Sequence, residues 1–231
     1  MRSRLRSIGG ARGLLARARV SIAPGFVAAL ALSVALTATA AESYLLEPNV
    51  AVAGKTQEAW SRAWWEWAGS FEQRLSPIAD ATGERCGLKQ GSKVWFLAGT
   101  YDTGRTIRTC TVPRGRHLFF PLVNYVVMPR GPSPVNCEQA ALSAERLTDD
   151  PARLILEIDG QRYEDLAVHR LATPECFDIG ARAEPPVRVY PTAANGYYVM
   201  LKPLPPGRHV INFGGILPSI LQAVTYTLTV E

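Results

Sequence analysis

Three histidines, His117, His169 and His209, are the side chains best suited to move a proton near neutral pH, and they stand 52 and 40 residues apart. No H-x-H or H-E-x-x-H pair accompanies them, so a metal centre would require all three to converge through the fold. Ordinary satisfied or exposed side chains are the simpler expectation. His117 follows Arg114-Gly115-Arg116 at the start of a strand-like segment, which suits the rim of a fold. Carboxylates occur at Asp102, Asp149, Asp150, Glu164 and Asp165, but nothing in their spacing selects an acid–base pair. The sequence has no G-x-S-x-G elbow, Walker loop or G-x-G-x-x-G turn. The fingerprints of common hydrolases, nucleotide binders and dinucleotide enzymes are absent with them. Neither a cofactor nor a metal is expected.

Aromatic side chains offer a different chemistry, contact with a ring face or an apolar segment. On a helical wheel Trp60, Trp64, Trp67 and Phe71 fall within a stripe of about 60°, the signature of a buried face. Trp65 does not. It lies between Glu58 and Glu72 on the polar side, where a loop or strand covers it or where it forms a platform for a sugar ring, a peptide or a partner protein. The turn Tyr101-Asp102-Thr103-Gly104-Arg105 joins an aromatic, an acid and a base on a connection. Such connections often carry function on a rigid β scaffold, although a solvated hairpin turn is its plainer reading. Trp65, Tyr101, Asp102, Arg105 and His117 are therefore the candidate ligand-binding residues.

The elements that must position these residues follow from periodicity. Lys55–Glu72 is predicted as an amphipathic helix, with Glu58, Arg62 and Glu66 at i, i+4 spacing on its polar side. Strands are predicted at Lys93–Gly99, Arg105–Val112, His117–Met128, Arg153–Ile158 and Gln161–Leu171. Further strands are predicted at Glu175–Ile179, Gly196–Lys202, Arg208–Phe213 and Ala223–Val230. Turn-forming runs such as Asp159-Gly160 and Pro205-Pro206-Gly207 separate them. In the last strand Val224, Tyr226, Leu228 and Val230 alternate with Thr225, Thr227 and Thr229, one face buried and one wet. A second short helix is predicted over Glu138–Leu147. Short strands at this spacing give a mainly β fold, an antiparallel β-sandwich of jelly-roll or Ig-like type with an N-terminal amphipathic helix and one short additional helix.

Charge divides the chain. Its 231 residues carry 25 Lys+Arg and 20 Asp+Glu, with 47% hydrophobic residues, which excludes a disordered chain. Six of the arginines lie in residues 1–40, which hold no acid, followed by an apolar run from Phe26 to Leu36 and the small residues Thr37 to Ala41. That order predicts a secretory signal peptide cleaved after Ala40, an extended lead-in over 41–54 and a single domain over 55–231. What remains after cleavage is near neutral, so the basic footprint of a nucleic-acid binder is missing. No later segment is long and apolar enough to cross a membrane. A secreted or periplasmic location fits four widely spaced cysteines without a C-x-x-C pair. Of their three pairings, Cys86–Cys110 and Cys137–Cys176 are favoured because each closes a loop beside a predicted strand, worth about 3–4 kcal/mol by chain entropy.

Several blocks occur together: Trp60-Ser61-x-x-Trp64-Trp65-x-Trp67-Ala68, Val94 to Thr100 (VWFLAGT) and Arg108 to Pro113 (RTCTVP). Leu118 to Asn124 (LFFPLVN) and Leu201-Lys202-Pro203-Leu204-Pro205-Pro206-Gly207-x-His209 complete the set. As a set they resemble a family of uncharacterised secreted bacterial proteins. The resemblance implies a one-domain, exported, β-rich fold and brings no catalytic residue with it. A non-enzymatic binding or envelope-associated protein is the favoured expectation, with a glycan, a peptide or an envelope protein as partner. The competing expectation is a secreted hydrolase or lyase acting on an extracellular polymer, using loop carboxylates and His117.

Overall fold

Helix α1 (Gln57–Ala68) begins where the Thr56 hydroxyl accepts a hydrogen bond from the Ala59 amide, the usual way of satisfying one orphan donor of a first turn. It is shorter than its periodicity predicts. The chain leaves the helix at Gly69, where an added Cβ would strike the backbone of Ile179. The helix buries Trp64 and Trp67, and their indole N–H groups donate to the carbonyls of Leu97 and Leu88. On the polar side Arg62 bridges Glu66 and Glu175, each at 2.8 Å. The computed structural model describes residues 43–130 and 135–231; the expected signal peptide lies outside the described residues.

Two sheets follow. The first has the order β1 (Val94–Phe96), β3 (His117–Val127), β7 (Ala193–Leu201), β6 (Arg170–Ala172). The second has the order β2 (Arg105–Val112), β9 (Ile220–Val230), β8 (Gly207–Leu217), β4 (Arg153–Ile158), β5 (Gln161–Arg162). The fold is mainly β as expected, but the sheets are of mixed orientation, because β1–β3 and β2–β9 pair in parallel. An alternating strand buries one face against either kind of neighbour, so period two does not reveal strand direction. Two predicted strands are also corrected. In the Gln161–Leu171 stretch Asp165 takes a left-handed conformation, and a 3-10 turn over Leu166–His169 buries Leu166 and His169. In the Glu175–Ile179 stretch only Phe177 bridges Thr192; the Asp178 carboxylate then accepts the Gly180 and Val189 amides and turns the chain.

Leu118, Phe120 and Leu122 of β3 meet Phe213, Val224, Tyr226 and Leu228 of the other sheet in one apolar core. The opposite face of the four-stranded sheet packs Phe119, Tyr198 and Met200 against Trp64 and Trp67 of α1. Helix α2 (Cys137–Leu147) opens with a reciprocal cap between Asn136 and Gln139 and buries only its small residues Ala140 and Ala144. The segment before α1 also joins the first sheet, with Leu45 bridging Leu201. The structure pairs Cys86 with Cys110 and Cys137 with Cys176, with Cα atoms 6.0 and 5.8 Å apart.

Alternation along β2 places Arg108 inside. Its guanidinium donates to the carbonyls of Ile78, Asp80, Ala98 and Gly99 and to the Tyr226 hydroxyl, at 2.6–3.1 Å. One buried cation thus fastens two loops to both β2 and β9. The neighbouring Asp80 turns the same loop. Burial alone would raise its pKa, but the amides of Arg85, Thr82 and Gly83 and the Thr82 hydroxyl outweigh burial and hold it below the ordinary value.

Candidate functional site

Four segments meet at one end of the two sheets: Trp65 of α1, the Thr100–Thr103 turn, the last part of β3 at Asn124–Val126, and the β8–β9 turn at Ser219–Gln222. Gln222 fixes their spacing. Its amide nitrogen donates to the Pro121 and Leu122 carbonyls at 2.9 and 2.7 Å, while its oxygen accepts the Thr100 amide at 3.2 Å. A β-bulge between Pro121 and Val123 leaves those two carbonyls available, since a bulge interrupts the ladder. Gly99 is required beside them, because a Cβ there would strike the Gln222 side chain.

The enclosed cleft has a volume of about 260 Å³. A second cleft of about 720 Å³ adjoins it, running from the end of α1 to the 179–189 loop. Trp65, Tyr101, Val126 and Arg130 border both. Trp65 is half-buried: its indole N–H donates to the Tyr198 hydroxyl at 2.8 Å, and its ring packs edge-on against Trp64 at 5.0 Å. Asn124 donates to the same hydroxyl at 3.1 Å. Burial raises the Tyr198 pKa far above the phenol's usual value, against the smaller opposing effects of Asn124 and Trp65. It therefore stays a neutral anchor. With its only N–H committed there, Trp65 offers the clefts carbon surface and no donor. Tyr101 is largely exposed and supplies a second ring. The polar groups around these rings in the first cleft include Thr103, Asn124 and Ser219, and its one charged lining residue is Arg130. The second cleft adds Glu72 and Glu184, of which Glu184 reaches Lys89 at 3.3 Å.

Of the candidates named from the sequence, the structure brings Trp65 and Tyr101 together. Asp102 is exposed in the adjoining turn, its amide donating to the Thr100 hydroxyl at 3.1 Å, and its side chain lines neither cleft. Arg105 is exposed at the start of β2 and also lies outside both linings. His117 pairs with Val94 at the opposite end of β3 from Asn124. Seven residues of strand separate His117 from Asn124, about 23 Å at the usual rise.

The other histidines are elsewhere too. His209 Nδ1 meets Asp159 at 2.7 Å and Nε2 meets the Pro205 carbonyl at 2.9 Å, so both nitrogens are tied to the scaffold. His169 is buried with Nδ1 unpartnered; burial lowers its pKa, with Glu47 partly opposing. Burial lowers that of His117 as well. Among the described residues no three His, Cys, Asp or Glu side chains gather as metal ligands would.

Asn124, Tyr125, Arg130 and Gln222 were missed by sequence reasoning. One signal was available for the first, since Asn124 is the polar residue that ends the apolar run from Leu118 to Val123. Comparison with family models, curated proteins and solved structures finds no match for this chain.

Proposed function

We propose that this chain is an exported, non-enzymatic binding protein, built on a β-sandwich, whose end cleft takes a glycan ring. The observation that carries this is the convergence of Trp65 and Tyr101, distant in sequence, on one small cleft whose remaining polar lining is mostly neutral. Aromatic surface matches the apolar face of a sugar ring, while amide and hydroxyl groups match its hydroxyls. The cleft's size suits a single ring, lying just below the range for drug-sized ligand pockets. Export is supported by the arginine-rich and then apolar first forty residues and by two disulfides. No helix among the described residues is long and apolar enough to cross a membrane. Within sandwiches, the parallel β1–β3 and β2–β9 pairs depart from the all-antiparallel jelly-roll and Ig patterns.

The competing function, a secreted hydrolase or lyase acting on polymer, would draw on His117 and the loop carboxylates Asp102, Asp149, Asp150, Glu164 and Asp165, and none of them lines the cleft. Calorimetric titration of neutral and acidic oligosaccharides decides between them. Trp65→Ala and Tyr101→Ala should each weaken binding about tenfold or more while leaving the circular dichroism spectrum intact. Unchanged affinity in both variants would overturn the proposal. Polymer cleavage that disappears in Asp102→Asn or His117→Gln would favour the enzyme instead.

A further inference from the structure

The distribution of charge between the two clefts narrows the class of glycan, and this narrower assignment rests on the glycan reading itself. Every residue lining the smaller cleft is neutral except Arg130. That arginine is exposed and makes no ion pair among the described residues. The carboxylates of Glu72 and Glu184 belong to the larger cleft alone. Glu184 is already paired with Lys89 at 3.3 Å, so Glu72 is what turns an anionic ligand group away from the larger cleft, while Arg130 at the border draws it towards the smaller one. Guanidinium forms a fork matching a carboxylate, and such paired hydrogen bonds add orientation as well as strength. The same cleft sets aromatic carbon surface from Trp65 and Tyr101 beside that cation.

We infer that the smaller cleft is a subsite for an acidic sugar, a pyranose whose ring lies against Trp65 and Tyr101 and whose carboxylate pairs with Arg130. Neutral sugars meet the same rings without the ionic contact. Because Arg130 is exposed, the preference is screened by salt.

Trigalacturonate and its methyl ester test this, since the two share a shape and differ in charge. Calorimetry on the full mature chain should show trigalacturonate binding about tenfold more tightly at low ionic strength. Raising the salt should narrow the gap, and Arg130→Gln should abolish it, the loss of affinity falling on the acid far more than on the ester. If acid and ester bind equally, or if Arg130→Gln weakens both alike, the acidic subsite is overturned and the glycan cleft stands. If neither sugar binds, both ideas fall together. N-acetyl-dialanine, titrated in parallel, distinguishes a peptide carboxylate: binding by it alone, lost in Arg130→Gln, overturns the sugar assignment.

Discussion

Arg108 and His209 show how the chemistry of single residues is absorbed by the scaffold. Arg108, two residues before Cys110 in β2, is buried with four carbonyls and a hydroxyl around its guanidinium. Removing it strands those acceptors, and each unsatisfied buried group costs about 1–3 kcal/mol. Arg108→Met is therefore expected to lose at least about 3 kcal/mol in urea unfolding. Arg108→Lys should restore little of that, since one ammonium cannot span acceptors placed for a planar fork. His209 resembles a catalytic histidine in having a carboxylate on Nδ1. The Pro205 carbonyl on Nε2 takes the position a nucleophile's hydroxyl would need, so the pair locks the β4–β5 turn onto the start of β8.

Among the elements, β1 is three residues long and stands at the edge of its sheet. Exposed edges invite pairing with other chains, and here Gln90 covers one. Its side-chain amide accepts the Phe96 N–H at 2.8 Å and donates to the Phe96 carbonyl at 2.9 Å, imitating a strand neighbour. Gln90→Ala should cost about 1–2 kcal/mol. The Phe96 amide should then exchange its hydrogen faster while amides in the centre of β3 do not.

The elements were legible wherever burial is one-sided. The tryptophan stripe located α1, and alternation gave β2 and β4 their observed limits. Strand direction was not legible, because it depends on which distant segments pair. Two of the cleft residues announced themselves locally, Trp65 by standing on the charged side of its helix and Tyr101 by its turn. Asn124 showed only as the polar end of an apolar run, and Arg130 and Gln222 not at all, since the three meet only after the two sheets close on each other.

At the scale of the molecule, α1 covers one face of the four-stranded sheet, whereas the outer face of the five-stranded sheet carries exposed Ile107, Ile155 and Ile216. The cleft is thus built from segments on the helical side together with the β8–β9 turn, and its two parts depend on different constraints. Gln222 holds the smaller cleft by joining the sheets. The larger cleft is walled by the 179–189 loop, which the Cys137–Cys176 disulfide anchors near its base. Replacing both of those cysteines by serine opens a loop with a sequence separation of 39 and is expected to cost about 4 kcal/mol. Calorimetry on that variant below its melting point should show longer oligosaccharides weakened more than single-ring ligands.

Trp65 makes the cleft self-reporting. Trp64, Trp67 and Trp95 are buried in the core, and of the two half-buried indoles, Trp60 and Trp65, only Trp65 borders the clefts, so it contributes the part of the emission that responds to a ligand there. Its tie to Tyr198 holds it still, and a bound ring displacing water beside it would shift that emission towards the blue. Occupancy can therefore be followed optically, with no label attached, from the one chromophore that the helix leaves on its charged side.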